Sequence, residues 1–218
     1  MIAPEVSEAA PAAAPLEAAE PQRRRARRSE REGAELTAKA AGVDTREPIP
    51  EAALAGYERA LAAIRADDWL EAELELEQLT VEHPAYPGPH VNLALVYWHD
   101  GRRDDAHAAL ERALAIDPGH AAANNQLGIL LRERGQFDEA ERAYRRALAT
   151  DPSHALAHYN LAVLLDVYLR RTAEALEHYE RYQSSLVEPN ETVGRWIIDL
   201  RRRVGGAGAA RVAQEGGQ

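Results

Sequence analysis

AAANNQLGILLRERGQFDEAERAYRRALATDPSH, residues 121–154, is one complete copy of a pattern that returns every 34 residues. Its closing proline, Pro152, has counterparts at Pro118 and Pro84, one interval apart each time. Small residues keep the same interval: Ala60, Ala94, Gly128 and Ala162 form one ladder, and Ala72, Ala106 and Ala140 another. Leu93, Leu127 and Leu161 form a fourth. Four ladders on one period are beyond coincidence, and a period of this length means a structural unit repeated along the chain.

Within each copy, leucine, valine and tyrosine recur at helical spacing, as in Leu127, Leu130 and Leu131, so each copy reads as helices with one apolar face. Gly101 and Gly135 mark a turn inside the copy. Asp117-Pro118 and Asp151-Pro152 end its second helix, because the residue before a proline is pushed out of the helical region. Small residues on the ladders let helix axes approach closely. A pair of helices cannot bury its apolar faces alone, so neighbouring pairs stack.

The Leu-Gly/Ala pair, the later Ala and the closing Pro on a 34-residue period resemble the tetratricopeptide repeat. The resemblance implies an all-α, right-handed solenoid of about four helix-turn-helix repeats, over roughly 53–86, 87–120, 121–154 and 155–189 within an array of 48–189. The first copy is degenerate, with Arg59 where later copies have Leu, and the fourth has one extra residue at its turn. The Trp usual in the family's first helix is replaced by Gly56, His90, Asn124 and His158.

Ends of such arrays need covering. NETVGRWIIDLRRRV, 190–204, reads as a capping helix that packs Val193, Trp196, Ile197 and Leu200 on the fourth repeat. A role for Trp196 as a partner anchor is the other reading. Gly-rich residues 205–218 read as a flexible tail. Residues 1–47 begin as Ala, Pro and Glu, then place six arginines within Arg23–Arg31. That composition cannot bury enough apolar surface to offset its ordering entropy, and reads as a disordered tail. The arginines suit either a solvated linker or contact with an anionic membrane or nucleic acid, although aromatic residues for base stacking are missing.

The chain of 218 residues carries a formal net charge of −10. Residues 1–47 hold 9 acids and 8 bases, leaving −9 for the remainder. An acidic body argues against nucleic acid as the main partner and favours a basic protein. Arginine almost replaces lysine, whose single copy is Lys39, a bias that suggests a GC-rich bacterial genome. Cysteine is absent, so no disulfide or thiol chemistry is expected. No apolar run approaches membrane-spanning length. Read as given, the chain is expected in the cytoplasm. An Ala/Pro-rich spacer of this kind also fits a periplasmic or lipoprotein-anchored protein whose true start lies upstream.

The resemblance places function on the concave face, lined by the first helix of each repeat. The inward sites carried over are Tyr57; Asn92, Leu95 and Trp98; Asn125, Gln126, Ile129 and Arg132; and Tyr159, Asn160 and Val163. Asn92, Gln126 and Asn160 recur at the interval of 34. An amide offers donors and an acceptor, so this ladder could hold the backbone of an extended peptide. Alternatively the amides bond a neighbouring helix. Trp98 reads as an anchor or as inter-repeat core, and residues 34–50 folding into the groove is a rival account. The family's carboxylate clamp falls on Tyr57, Leu61, Asn92, Ala122 and Gln126, none of them cationic, so a clamp-type chaperone adaptor is not expected.

No Gly-rich phosphate loop or serine elbow occurs. His154 and His158 stand four apart but lack a third ligand, and read as surface histidines. The expectation is therefore no enzyme, no metal and no cofactor. What is expected is an interaction scaffold holding a peptide or helix of another protein, as a monomer or weak homo-oligomer. Two alternatives are a self-assembling, envelope-associated repeat protein and an adaptor working through the arginine tail.

Overall fold

The computed structural model describes residues 49–215, with side chains placed for 49–206. The tail expected over 1–47 lies outside the described residues. Within them every regular element is a helix. Alternating long and short connections follow the punctuation of the sequence: α1 (Glu51–Arg65), α2 (Trp69–Glu82), α3 (Pro87–His99), α4 (Arg103–Ile116), α5 (Ala121–Glu133), α6 (Phe137–Thr150), α7 (Ala155–Val163), α8 (Thr172–Ser185) and α9 (Glu191–Glu215). Each helix packs on the next, and α3–α5 and α5–α7 also touch. The odd-numbered helices from α1 to α7 therefore line the inner face of the stack.

The turn inside each pair needs one residue in the left-handed region. Gly101 (φ 76°) and Gly135 (φ 74°) supply it in the middle repeats, where a side chain would be strained. Asp67 (φ 57°) and Arg170 (φ 56°) supply it in the outer ones. These four positions are 34, 34 and 35 residues apart, so the fourth repeat carries its extra residue before Arg170. The insertion is absorbed as a π-turn, Leu164–Tyr168, that continues α7. There Leu169 N–H reaches back to the Leu164 carbonyl at 3.0 Å. A one-residue bulge of this type lets a helix keep its direction and its buried face.

Between pairs, Asp117 and Asp151 stand in extended backbone, and their carboxylates accept from the N–H of Gly119 and Ser153 at 3.0 Å. His120 and His154 then cap α5 and α7, each accepting through Nδ1 from the N–H three residues on at 3.2 Å. Both histidines are half-buried. The surface role expected of His154 is thus corrected to a capping one, because an imidazole lone pair can satisfy an orphan donor at a helix start, and His158, also expected at the surface, is buried.

Small residues sit where the ladders require. A Cβ on Gly128 would fall 2.5 Å from the Tyr144 ring, so the fully buried ring lies flat on bare backbone. The matching pairs, Ala94 with Leu110 and Ala60 with Leu76, trade a larger ladder residue for a smaller partner. Val193, Ile197 and Leu200 of α9 are buried as expected of a cap, while Trp196 stays 36% exposed. The last helix does not stop at Val204; helical backbone continues to Glu215. Glycines 205, 206 and 208 each weaken a helix by about 1 kcal/mol relative to alanine. They do not break it, and the good formers Ala209–Glu215 follow without a proline.

Candidate functional site

The face lined by α3 and α5 holds a small open cleft walled by Ala94, Leu95, Trp98, Gln126, Ile129 and Leu130, with Leu110 beneath. Four of the residues expected at the groove, Leu95, Trp98, Gln126 and Ile129, meet here, and all four are half-buried. The Trp98 indole N–H donates to Glu133 of the next repeat at 3.2 Å, and the Arg103 guanidinium lies over its ring at 4.6 Å. Arg103 also pairs with Glu133 at 3.5 Å. Trp98 is thereby held in one orientation in the cleft wall.

The amide ladder divides. Asn92 donates to the Tyr57 hydroxyl at 2.6 Å, and Asn160 donates to the Asn125 side-chain oxygen at 3.0 Å. Each bond spans 35 residues, one more than the repeat, and the two bonds occupy corresponding places between the first and second and between the third and fourth repeats. Asn125 and Asn160 are buried. For these two amides the neighbouring-helix role replaces the peptide-holding one: a buried polar group takes the partner within reach. Gln126 differs because the residue 35 before it is Val91, which has no polar atom. No described residue bonds the Gln126 side chain, which faces the cleft.

Tyr159 and Val163 lie away from this cleft. Tyr159 joins an aromatic cluster with Tyr182 (centroids 5.1 Å apart), Tyr179 (6.2 Å) and Trp196 (6.5 Å). The cluster fastens the cap onto the fourth repeat, and in it Trp196 packs as a cap residue. Val163 is half-buried at the end of α7. Arg132, on α5, is half-buried as well and forms no hydrogen bond or ion pair with a described residue.

Two of the residues replacing the family's usual Trp, Asn124 and His158, make a second set of polar contacts. Asn124 donates to the carbonyl oxygens of Pro118 (3.0 Å) and His120 (3.1 Å), and accepts from Arg146 at 2.9 Å. His158 Nε2 meets the Pro152 carbonyl at 3.1 Å. A carbonyl only accepts, so the proton is on Nε2, and His158 Nδ1 must accept from His178 Nδ1, 2.8 Å away. Burial first, then His158, Arg181 and Arg145, push His178 down to about 4, with Glu174 opposing. Two histidines without a third ligand do not make a metal site, and no group of three or more potential ligands occurs among the described residues.

A stack of helix pairs with an inward cleft defines a class of repeat scaffold, and the chain is a tetratricopeptide repeat protein. The family matches residues 88–153 and again 125–186. Folds of this family mediate protein–protein interaction and are generally non-catalytic. Among solved structures, the chain is similar to pilF of Pseudomonas aeruginosa, with 23% identity over 77% of this chain and 78% of that one, and a TM-score of 0.64. It is similar to a MamA protein, at 22% identity over 63% and 74% of the two chains with a TM-score of 0.51. These two likenesses show the fold alone. An O-GlcNAc transferase of Thermobaculum terrenum is 28% identical over 63% of this chain, but only 28% of that enzyme is covered, with a TM-score of 0.55. No curated protein matches the chain in sequence. No helix among the described residues is long and apolar enough to cross a membrane.

Proposed function

We propose that this protein is a non-catalytic scaffold that holds an extended or helical segment of a partner protein against the cleft between α3 and α5. The observation that carries the reading is the contrast between the amides. Asn92 and Asn160 are consumed in bonds between repeats, whereas the Gln126 amide, beside Leu95, Trp98 and Ile129, has no partner among the described residues. An oriented tryptophan beside aliphatic walls and one available amide is the arrangement that anchors an apolar side chain and one backbone group. The excess negative charge outside residues 1–47 favours a partner that is basic overall.

The test is binding of partner segments to the full chain and to Trp98→Ala, with helix content checked by circular dichroism. Affinity lost in a variant that remains folded supports the groove. Unchanged affinity would move function to another surface.

Self-assembly is supported by a different observation. Leu70 and Val81 on α2 are 70% and 80% exposed, where the later repeats carry Asp104 and Asp138, or Ala115 and Ala149. Ile198 on the cap is exposed too. Sedimentation velocity over a dilution series discriminates, because end-to-end stacking predicts a mass that falls with concentration.

A further inference from the structure

Only two arginines with described side chains are half-buried, Arg132 and Arg171; all others are exposed to water. Arg171 is compensated by Glu141 at 2.7 Å and by Glu174 at 2.5 Å. Arg132 has no acidic partner among the described residues. The acids whose fields overlap its own are already engaged: Glu133 by Arg103 and Trp98, and Asp166 by Arg203 at 3.0 Å. A guanidinium carries five donors, and partial burial without a counter-ion is costly.

Further unmet polarity lies close by. The Tyr144 hydroxyl is buried with no hydrogen-bond partner among the described residues. Burial pushes that phenol up, and Arg132 is the nearby positive charge opposing the shift; Arg132 acts in the same sense on Tyr159 and Tyr179. The field of Arg132 thus reaches three tyrosines, one each on α6, α7 and α8.

We propose that Arg132 receives a carboxylate side chain, an aspartate or glutamate, of the segment held in the groove, a site that rests on the groove reading. Arg132 is six residues beyond Gln126 on α5, about 9 Å along the helix axis and roughly a third of a turn around it, and it follows Ile129 of the cleft wall by three residues. An extended chain covers that distance in about three residues. The recognised pattern is then an apolar or aromatic residue in the Leu95–Trp98–Ile129 cleft with an acid two to four residues away. Arg132 fixes the register of the segment, while the wider field of the acidic body acts on its overall charge. The site differs from the family's carboxylate clamp, whose positions here hold no cation.

The probe is an array of random peptides about twelve residues long, acetylated and amidated at their ends and screened with the full chain. A matched array carries free C-termini. The expected result is enrichment of peptides with an acid at that spacing. Changing the acid to its amide weakens binding about tenfold on the native chain, and roughly twofold or less on Arg132→Gln. Arg202→Gln, which removes an exposed arginine, leaves the acid preference intact. The melting temperature of Arg132→Gln stays at or above that of the native chain, since no protein partner is lost.

Enrichment without an acid, or an equal loss on Arg132→Gln, would overturn the site while leaving the groove in place. A preference confined to free C-termini would also overturn it. If no enriched peptide loses binding on Trp98→Ala, both the site and the groove reading fall.

Discussion

Asn160 donates its side-chain N–H to the Asn125 oxygen 3.0 Å away, inside the core between the third and fourth repeats. The bond repeats the geometry of Asn92 on Tyr57 two repeats earlier. Both are struts between adjacent first helices, so they set the spacing of the inner face before any partner arrives. Removing the donor leaves a buried oxygen unpaired, which costs more than the bond itself.

Asn160→Ala is accordingly expected to destabilise the array by about 1–3 kcal/mol. Asn92→Ala, at a half-buried site, should cost less. Urea denaturation of both variants checks the order. Equal and negligible losses would mean that the amides are free for a ligand.

Gly128→Ala should destabilise by about 1–3 kcal/mol, because the new methyl meets the buried Tyr144 ring. Adding Tyr144→Leu reproduces the Ala94–Leu110 pairing of the preceding repeat. The double variant should therefore be more stable than Gly128→Ala alone. Additive losses would show that the two positions do not share one constraint.

Stability should fall as pH drops from 6.5 toward 4. His178 is held at about 4 against an ordinary 6.5, mainly by burial. Burial also lowers His120 and His154, against Asp117 and Asp151 respectively. The unfolded chain binds these protons first, so stability is full above 6.5 and lost on acidification. The caps fail in the same direction, since a protonated Nδ1 cannot accept from a helix N–H. His178→Gln should flatten the difference in unfolding free energy between pH 5 and 7.5. An unaltered slope would assign the dependence to other groups.

Arg170→Gly should stabilise by about 0.5–1 kcal/mol, because an exposed residue with no ion pair among the described residues occupies a left-handed conformation. Thermal unfolding of the single variant checks it. A lower melting temperature would show that the Arg170 side chain contributes something the turn geometry does not reveal.

The repeat architecture was legible because its causes are local and periodic. Gly101 and Gly135 announce their turns through the one residue type that accepts positive φ freely. Asp67 and Arg170 adopt the same conformation without announcing it, since stacked helices on both sides impose it. The extra residue of the fourth copy was visible as a count but was expected at the turn; it lies instead in the π-turn at Leu164–Tyr168 at the end of α7, which keeps the buried face in register. The amide ladder misled for a similar reason. What an amide does here depends on the residue 35 positions earlier, polar at Tyr57 and Asn125 but apolar at Val91. Reading that offset would have separated Gln126 from its neighbours. Arg132 is distinguished by what its environment lacks, and no spacing in the chain records that.

The most direct test of the groove is a photo-crosslinking amino acid placed at Gln126, on the inner face, and at Arg181, exposed on α8, in the full chain expressed in its native host. The groove account predicts a discrete crosslinked protein from position 126, absent from position 181 and lost when Trp98→Ala is added. Crosslinking at 181 alone, or at 126 irrespective of Trp98, would contradict it.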